Sequence, residues 1–495
     1  MARTHAEWQA LASQLTIEGR AFIDGQYVTA ADGRTFDCIN PATGAKLADI
    51  SWAGDAEVEQ AVAAARRVFD SGKWSGLAPL VRGRILKRFA ALIREHKDEL
   101  SLLETLDAGK PIGDTTTVDV PGAAYCVEWF AEAIDKIGGE VAPVDPKLVG
   151  LVTREAIGVV AAIVPWNFPI LMASWKFGPA LAAGNAVIVK PSEKSPLTAI
   201  RLAALAKQAG MPDGVFQVLP GAGDVGKALS LHMDIDCVAF TGSTGVGKLI
   251  ATYAAQSNLK RAWLELGGKS PNIILPDCPD LARAARTAAG AIFYNMGEMC
   301  TAGSRLLVHK DIKDAFLAEF KKAAAAYQPA DPLDPATSMG AIVDRIQYDK
   351  VLGYIAKARE ENCELVCGGN ATRTDEGLFI EPTAFVCPRP DMTICREEIF
   401  GPVLSIITFS DVEEAIRIAN DTEYGLAAAV WTSNVTTAHQ VSRRLRAGTV
   451  WVNCYDEGGD MNFPFGGFKQ SGNGRDKSLH ALEKYTELKS TLIKL

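Results

Sequence analysis

Ala156-Ile-Gly-Val-Val-Ala-Ala-Ile-Val-Pro-Trp-Asn-Phe-Pro-Ile-Leu-Met-Ala-Ser-Trp175 runs for 20 residues without a charge. As a membrane helix it fails. Pro165 and Pro169 interrupt it and Asn167 sits between them, so lipid would face backbone groups with no partner. It reads instead as a buried strand over 157–164, a rigid loop and a helix start. Working outward, the same unit recurs. Apolar runs at Val159–Val164, Ala186–Val189, Val215–Leu219, Cys237–Phe240 and Ile273–Leu275 alternate with helical segments. Thr383–Val386, Leu404–Phe409, Ala427–Trp431 and Thr449–Val452 continue the pattern. Such alternation implies parallel sheets covered on both faces. The fold class is α/β, with two α/β units joined in the region Glu265–Pro276.

Upstream, short strands and turns are expected over the first 55 residues, around Ala21–Val28 and Asn40–Gly44. Helices are expected from Ala56 to about Leu106, where Val58, Val62, Ala65, Val68 and Phe69, then Ile85, Phe89, Leu92 and Ile93, keep helical spacing.

The 495 residues are 48% hydrophobic and 22% charged, enough for a large core without disulfide staples. A net charge of −8 argues against a nucleic-acid binder, which needs a basic face. The 10 cysteines are scattered, and Met1 to Arg20 is mixed polar and amphipathic without an apolar core. Free thiols in a reducing cytoplasm are therefore expected. Cys363 and Cys367 have no second pair and no nearby His, so no metal site is expected.

Two loops resemble phosphate binders. Gly221-Ala-Gly223-Asp-Val-Gly226 satisfies the dinucleotide spacing between strand and helix, but no clear acidic residue follows about 20 positions on. A glycine turn reads equally well. Gly242-Ser-Thr-Gly-Val-Gly247-Lys248-Leu249 lacks the terminal hydroxyl that holds magnesium in an NTPase. It remains a candidate pyrophosphate loop at a helix start. Cys300, among small residues, is a candidate nucleophile, although most cysteines are merely small core residues. Glu265, in apolar company before Gly267-Gly268, is a candidate base or an ordinary exposed strand-end Glu. Asn167, pinned between prolines, is a candidate oxyanion donor or part of a structural turn.

Taken in order, these motifs resemble the aldehyde dehydrogenase superfamily. The segments are Pro165–Pro169, Lys190–Glu193, Phe240–Ser243, Leu264–Lys269, Gly297–Cys300, Glu397–Pro402 and Pro464–Gly467. They cover nearly the whole chain, and the ordered set is far more specific than any member. Phe293–Asn295, Asn453–Met461 and Lys469–Lys484 further resemble the members that oxidise γ-glutamyl-γ-aminobutyraldehyde in putrescine breakdown.

The resemblance implies a Rossmann-like NAD-binding domain over 1–137 and 156–266. It implies an α/β catalytic domain over 267–467 and a β oligomerisation arm over 138–155 and 482–495, hence a homodimer or homotetramer. Cys300 would attack the aldehyde, Asn167 would hold the oxyanion, and Glu265 would activate water against the thioester. Lys176 and Asp476 match proton-relay positions. Ile163, Pro165, Trp166, Lys190, Ser192, Glu193, Gly223, Phe240, Thr241, Gly242, Ser243, Gly247, Leu266, Glu398 and Phe400 match cofactor positions. Glu193 favours a free ribose hydroxyl, so NAD is expected, with NADP the alternative. Asp119, Phe168, Trp175, Tyr294, Asp456, Glu457 and Phe465 match substrate positions.

Three departures stand out. Glu298 replaces the commoner Gln beside the nucleophile and threatens to raise the thiol pKa unless it points away. Asp476 replaces a longer Glu. Asp456-Glu-Gly-Gly-Asp460 makes the mouth acidic and short of aromatics, which points to an ω-aminoaldehyde or γ-glutamyl-aminobutyraldehyde substrate. A solvated loop reads equally well. Betaine aldehyde, aliphatic aldehydes, acyl transfer to coenzyme A, and a non-catalytic structural protein on this fold are the competing readings. The retained Glu265 favours hydrolysis over acyl transfer.

Overall fold

The computed structural model describes residues 3–457 and 460–495. Met1, Ala2 and the two glycines of the acidic loop, Gly458 and Gly459, lie outside the described residues.

Two seven-stranded sheets organise the chain. In the first, Arg261–Glu265, Cys237–Thr241, Val159–Ile163, Ala186–Lys190 and Phe216–Val218 lie parallel, in that order. An N-terminal hairpin, Ala21–Ile23 and Gln26–Val28, closes the edge antiparallel. Val159, Val160, Ala161 and Ala162 are fully buried, as expected of a strand covered on both faces. The chain leaves Val159–Ile163 in one direction and returns to its other side at Cys237–Thr241. That reversal creates a crevice at the carboxyl ends of these strands, where open α/β sheets receive ligands.

The second sheet orders Glu364–Cys367, Thr383–Val386, Val403–Phe409, Arg305–His309, Pro271–Ile274, Ala427–Trp431 and Thr449–Val452. All are parallel except Glu364–Cys367 at the edge. The run expected at Ile273–Leu275 as a continuation of the first series lies in this second sheet. Its neighbours Arg305–His309 and Ala427–Trp431 come from far along the chain, which local pattern does not reveal. Arg261–Glu265 is marked in the sequence only by its strand-end Glu265, and Arg305–His309 not at all, because Arg261, Arg305 and His309 break the apolar run.

A third sheet of Glu140–Ala142, Leu148–Ala156 and Thr486–Lys494 projects from the body. Val141, Leu488, Leu492 and Leu495 are exposed on it. Just before the last strand, Ala481, Leu482 and Tyr485 pack into the core of the first sheet.

The uncharged run resolves into the strand Val159–Ile163, a loop, and the helix Pro169–Ala183. Pro169 begins that helix, where its missing N–H costs nothing. The helical stretch near the start is three helices, Asp55–Asp70, Pro79–Glu95 and Lys97–Ala108. Among the described residues no helix is long and apolar enough to cross a membrane, and no acid, His and Cys group could hold a metal ion. The ten cysteines are free thiols.

Candidate active site

Strand ends and turns deliver the reactive side chains. Glu265 is the last residue of Arg261–Glu265, and its carbonyl accepts from Gly242 N–H at 3.1 Å. The Gly267-Gly268 turn then passes against the Cys300 segment. A Cβ on Gly268 would stand 2.4 Å from the Cys300 carbonyl oxygen, so only glycine permits this approach. On the other side, Asn295 and Met296 take left-handed φ values of 48° and 55° and turn the chain sharply after the helix Leu281–Phe293. Strained backbone of this kind persists where the surroundings over-determine it.

Asn167 is buried, and its amide donates to the Glu298 carbonyl at 2.9 Å. A primary amide has two N–H groups, so one remains. Asn295 Nδ2 donates to the same Glu298 carbonyl and to the Asn167 carbonyl, each at 3.0 Å. Lys110 Nζ also donates to the Asn167 carbonyl, at 3.1 Å, and lies 3.7 Å over the Phe168 ring. These contacts fix Asn167 against the segment that carries Cys300.

Cys300 is partly exposed and lines a cavity of about 610 Å³. Burial, then the charges of Glu398, Asp456 and Glu265, push its thiol pKa up. Glu298 is not among those charges. Its carboxyl turns away and accepts from Val343 N–H at 3.3 Å, and burial above all pushes its pKa well up.

Glu265 is buried, not exposed, and neither carboxylate oxygen has a hydrogen-bond partner among the described residues. Burial first, then the charge of Asp476, push its pKa well up, against the pull of Lys176, Lys484 and Arg475. Asp476 sits between Lys176, at 2.5 Å, and Lys484. Burial opposes its charge, but the two ammonium groups outweigh that and hold its pKa below the ordinary value.

The cofactor candidates gather at the strand ends. Ile163, Lys190 and Thr241 end adjacent parallel strands. Lys190 Nζ lies 3.5 Å from Glu193, and Ser192 is buried beside them. Ser243 caps the 13-residue helix Thr244–Gln256 and accepts from Val246 N–H at 3.4 Å. The Thr241 hydroxyl is buried without a partner among the described residues. Gly242 lies against Phe240, and Gly247 against Leu266, with no room for a Cβ at either. Gly223 opens the helix Gly223–Leu231 with nothing near it. Pro165 and Trp166 are half-buried, and Trp166 meets Phe400 edge-to-face at 5.2 Å. Glu398 accepts from Gly268 N–H at 2.8 Å.

Phe168, Trp175, Tyr294, Asp456, Glu457 and Phe465 all line the cavity. Asp119 does not. It is fully buried and pairs with Lys110 at 2.9 Å. The wall also differs in character from the expectation of a mouth short of aromatics. Tyr125, Tyr327 and Tyr455 join the four aromatics already named. Tyr125 and Tyr327 come from a helix and a loop far from the acidic loop, whereas Tyr455 immediately precedes it. Asp456 is exposed and accepts from the Thr301 hydroxyl at 3.4 Å, while Glu457 pairs with Arg283 at 3.5 Å. Sequence reasoning missed Lys110, Asn295, Thr301 and Lys477. A lysine beside an apolar helix end was the only local signal for Lys110, and the others had none.

The aldehyde dehydrogenase family model matches residues 27–491. The NADP/NAD-dependent aldehyde dehydrogenase PuuC of Escherichia coli is 53% identical over 99% of this chain and 98% of its own length. The crystal structure of a γ-glutamyl-γ-aminobutyraldehyde dehydrogenase from Burkholderia cenocepacia is 74% identical, covers both chains fully and superposes with a TM-score of 0.98. An indole-3-acetaldehyde dehydrogenase of P. syringae, in complex with NAD+ and IAA, is 58% identical over the full length of both chains with a TM-score of 0.99. The chain belongs to the aldehyde dehydrogenase family, oxidoreductases that act on aldehydes.

Proposed function

We propose that this chain oxidises an amino-bearing aldehyde, an ω-aminoaldehyde or its γ-glutamyl derivative, to the carboxylic acid with NAD or NADP. One observation carries the chemistry: Cys300 lines the cavity, Asn167 is tied to the Glu298 carbonyl two residues before it, and Glu265, three residues before the Gly268 that touches the Cys300 carbonyl, is close enough for its charge to act on the thiol. The substrate class is supported by the relatives named for such aldehydes.

Cys300 attacks the aldehyde carbon and gives a thiohemiacetal. The remaining N–H of Asn167 and the Cys300 backbone N–H face the oxyanion. The bound dinucleotide supplies the hydride acceptor, leaving a thioester on Cys300. Glu265, unpartnered and raised in pKa, takes a proton from water, which hydrolyses the thioester. Lys176 and Asp476, paired behind it, set the charge that Glu265 faces as it takes up and releases that proton.

The residues present fit a dinucleotide. A helix start capped by Ser243 faces the crevice, a buried Thr241 hydroxyl lacks a partner among the described residues, and Lys190 with Glu193 stands at the next strand end. Ile163, Pro165, Trp166, Ser192 and Leu266 would line its binding cleft, and Glu398 and Phe400 its nicotinamide end.

The division into a cofactor unit, a catalytic unit and an arm, the pairing of arms into a homo-oligomer, and a cytoplasmic setting complete the reading. Aldehyde and NAD are mixed with purified protein and reduced cofactor is followed. Cys300→Ala is expected to abolish the signal, and normal turnover by that variant would sink the mechanism. The aromatic wall favours a second reading, a bulky apolar aldehyde. A kcat/KM panel across aminoaldehydes, γ-glutamyl-aminobutyraldehyde and indole-3-acetaldehyde separates the two.

A further inference from the structure

One cation in the cavity wall is unused by the chemistry above. Lys477 lines the cavity beside Trp175, with its ammonium 5.3 Å from the centre of that ring. The residue is 9% exposed. Lys110, Lys176 and Lys484, more deeply enclosed still, each pair with a carboxylate. Among the described residues Lys477 has no carboxylate within ion-pair distance.

The backbone holds this side chain in place at a cost. Lys477 and Ser478 are consecutive residues with φ of 60° and 50°. Left-handed conformations at two adjacent non-glycine residues are unfavourable. The neighbouring chain enforces them. Asp476 and Phe465 exchange both backbone hydrogen bonds at 2.7 Å, and Ser478 N–H donates to the Met461 carbonyl at 2.7 Å. Asp456 on the same wall, and Asp460 and Asp476 nearby, attract this ammonium from beyond ion-pair distance, but burial still pulls its pKa down, so the cost of enclosing its charge is only partly offset. A ligand anion would offset that cost.

We propose that Lys477 is a specificity-determining residue that receives a carboxylate carried by the aldehyde away from its reacting carbon. The inference rests on the reading of this cavity as the aldehyde site and sharpens its substrate class. A free ω-aminoaldehyde brings an ammonium toward Lys477. Acylation of that amine through an amino acid's side-chain carboxyl turns it into a neutral amide and adds an α-carboxylate. The site therefore selects the acid-bearing derivative over the free aminoaldehyde.

The test compares adipic semialdehyde with its methyl ester, two aldehydes of equal reach that differ in one charge. Wild-type enzyme is expected to prefer the acid. In Lys477→Met the ratio of kcat/KM, acid over ester, is expected to fall roughly ten- to a hundredfold, mainly through KM, as for a lost charged hydrogen bond. Lys477→Arg is expected to keep most of the preference. An unchanged ratio in Lys477→Met overturns the proposal, including the case where both substrates lose activity equally. Should Lys477→Met not fold, wild-type enzyme decides: equal KM for acid and ester overturns it, and a KM for the acid that is lower and rises with salt supports it. Absence of turnover of either aldehyde by wild-type enzyme counts against the site reading itself.

Discussion

Two carboxyl groups lie buried side by side in this molecule and meet opposite fates. Glu265 and Asp476 are almost equally enclosed. Glu265 has no partner for either oxygen, and burial drives it toward the neutral acid. Asp476 is gripped by Lys176 and Lys484 and stays ionised. Burial alone therefore does not set charge; pairing does. Paired environments that push two pKa values apart mark out the roles of acid and base. Here they leave Glu265 free to exchange a proton while Asp476 holds a fixed charge behind it.

The comparison breaks most severely at Asp476. Asp476→Asn leaves two buried ammonium groups without their counter-charge, and a loss of about 3–5 kcal/mol is expected. Chemical denaturation measures it, and a variant within about 1 kcal/mol of wild type contradicts the pairing account. Glu265→Gln is expected to lower turnover by about 10²–10⁴ through slow thioester hydrolysis. Its stability should hold, because no hydrogen bond is lost. Rapid-quench detection of an accumulated acyl-enzyme checks this, and a variant that accumulates none disproves the assigned step.

The pH dependence sharpens the contrast. Glu265 is raised in the fold above its ordinary 4.5, so the folded state binds more protons than the unfolded chain above that pH. Its contribution falls as pH rises from about 4.5 toward the raised value, and Glu265→Gln should remove that slope. Asp476 is depressed below 3.8, so its contribution is present above that pH and is lost as pH falls through the depressed value. Turnover should rise with pH as Glu265 ionises. A flat rate profile for the hydrolytic step contradicts the role of Glu265.

The smallest effect is expected at Glu298. Its carboxyl, pushed up in pKa by burial, faces Val343 N–H and not the thiol. Glu298→Gln keeps that acceptor, so stability should change by less than about 1 kcal/mol and thiol alkylation at Cys300 should be unaltered. A markedly faster alkylation in the variant shows that the carboxylate does reach the nucleophile.

Much of this was legible in the residues. Pro165 and Pro169 excluded a membrane helix and marked the turn from strand to helix, because proline acts through its own backbone wherever it stands. The apolar runs announced parallel strands, and the Gly242–Gly247 loop announced a helix start. Arg305–His309 was illegible because its arginine is satisfied only by the carbonyls of Lys269, Ile418 and Ala419. The acidic loop was legible only in part. Its acid was legible, since Asp456 and Glu457 line the cavity, but its pairing was not: Glu457 is matched by Arg283, and Tyr125 and Tyr327 from distant elements add aromatics to the wall.

Sequence alone therefore determined the α/β class, the family and the identities of the candidate nucleophile, base and oxyanion donor, all of which depend on local pattern or ordered motifs. Tertiary structure alone decided which buried charges are paired. Asp119 meets Lys110, Asp476 meets Lys176 from 300 residues away, and among the described residues Lys477 has no carboxylate within ion-pair distance. Charge state in a low-dielectric interior depends on neighbours within a few ångströms, and the order of residues along the chain does not list those neighbours.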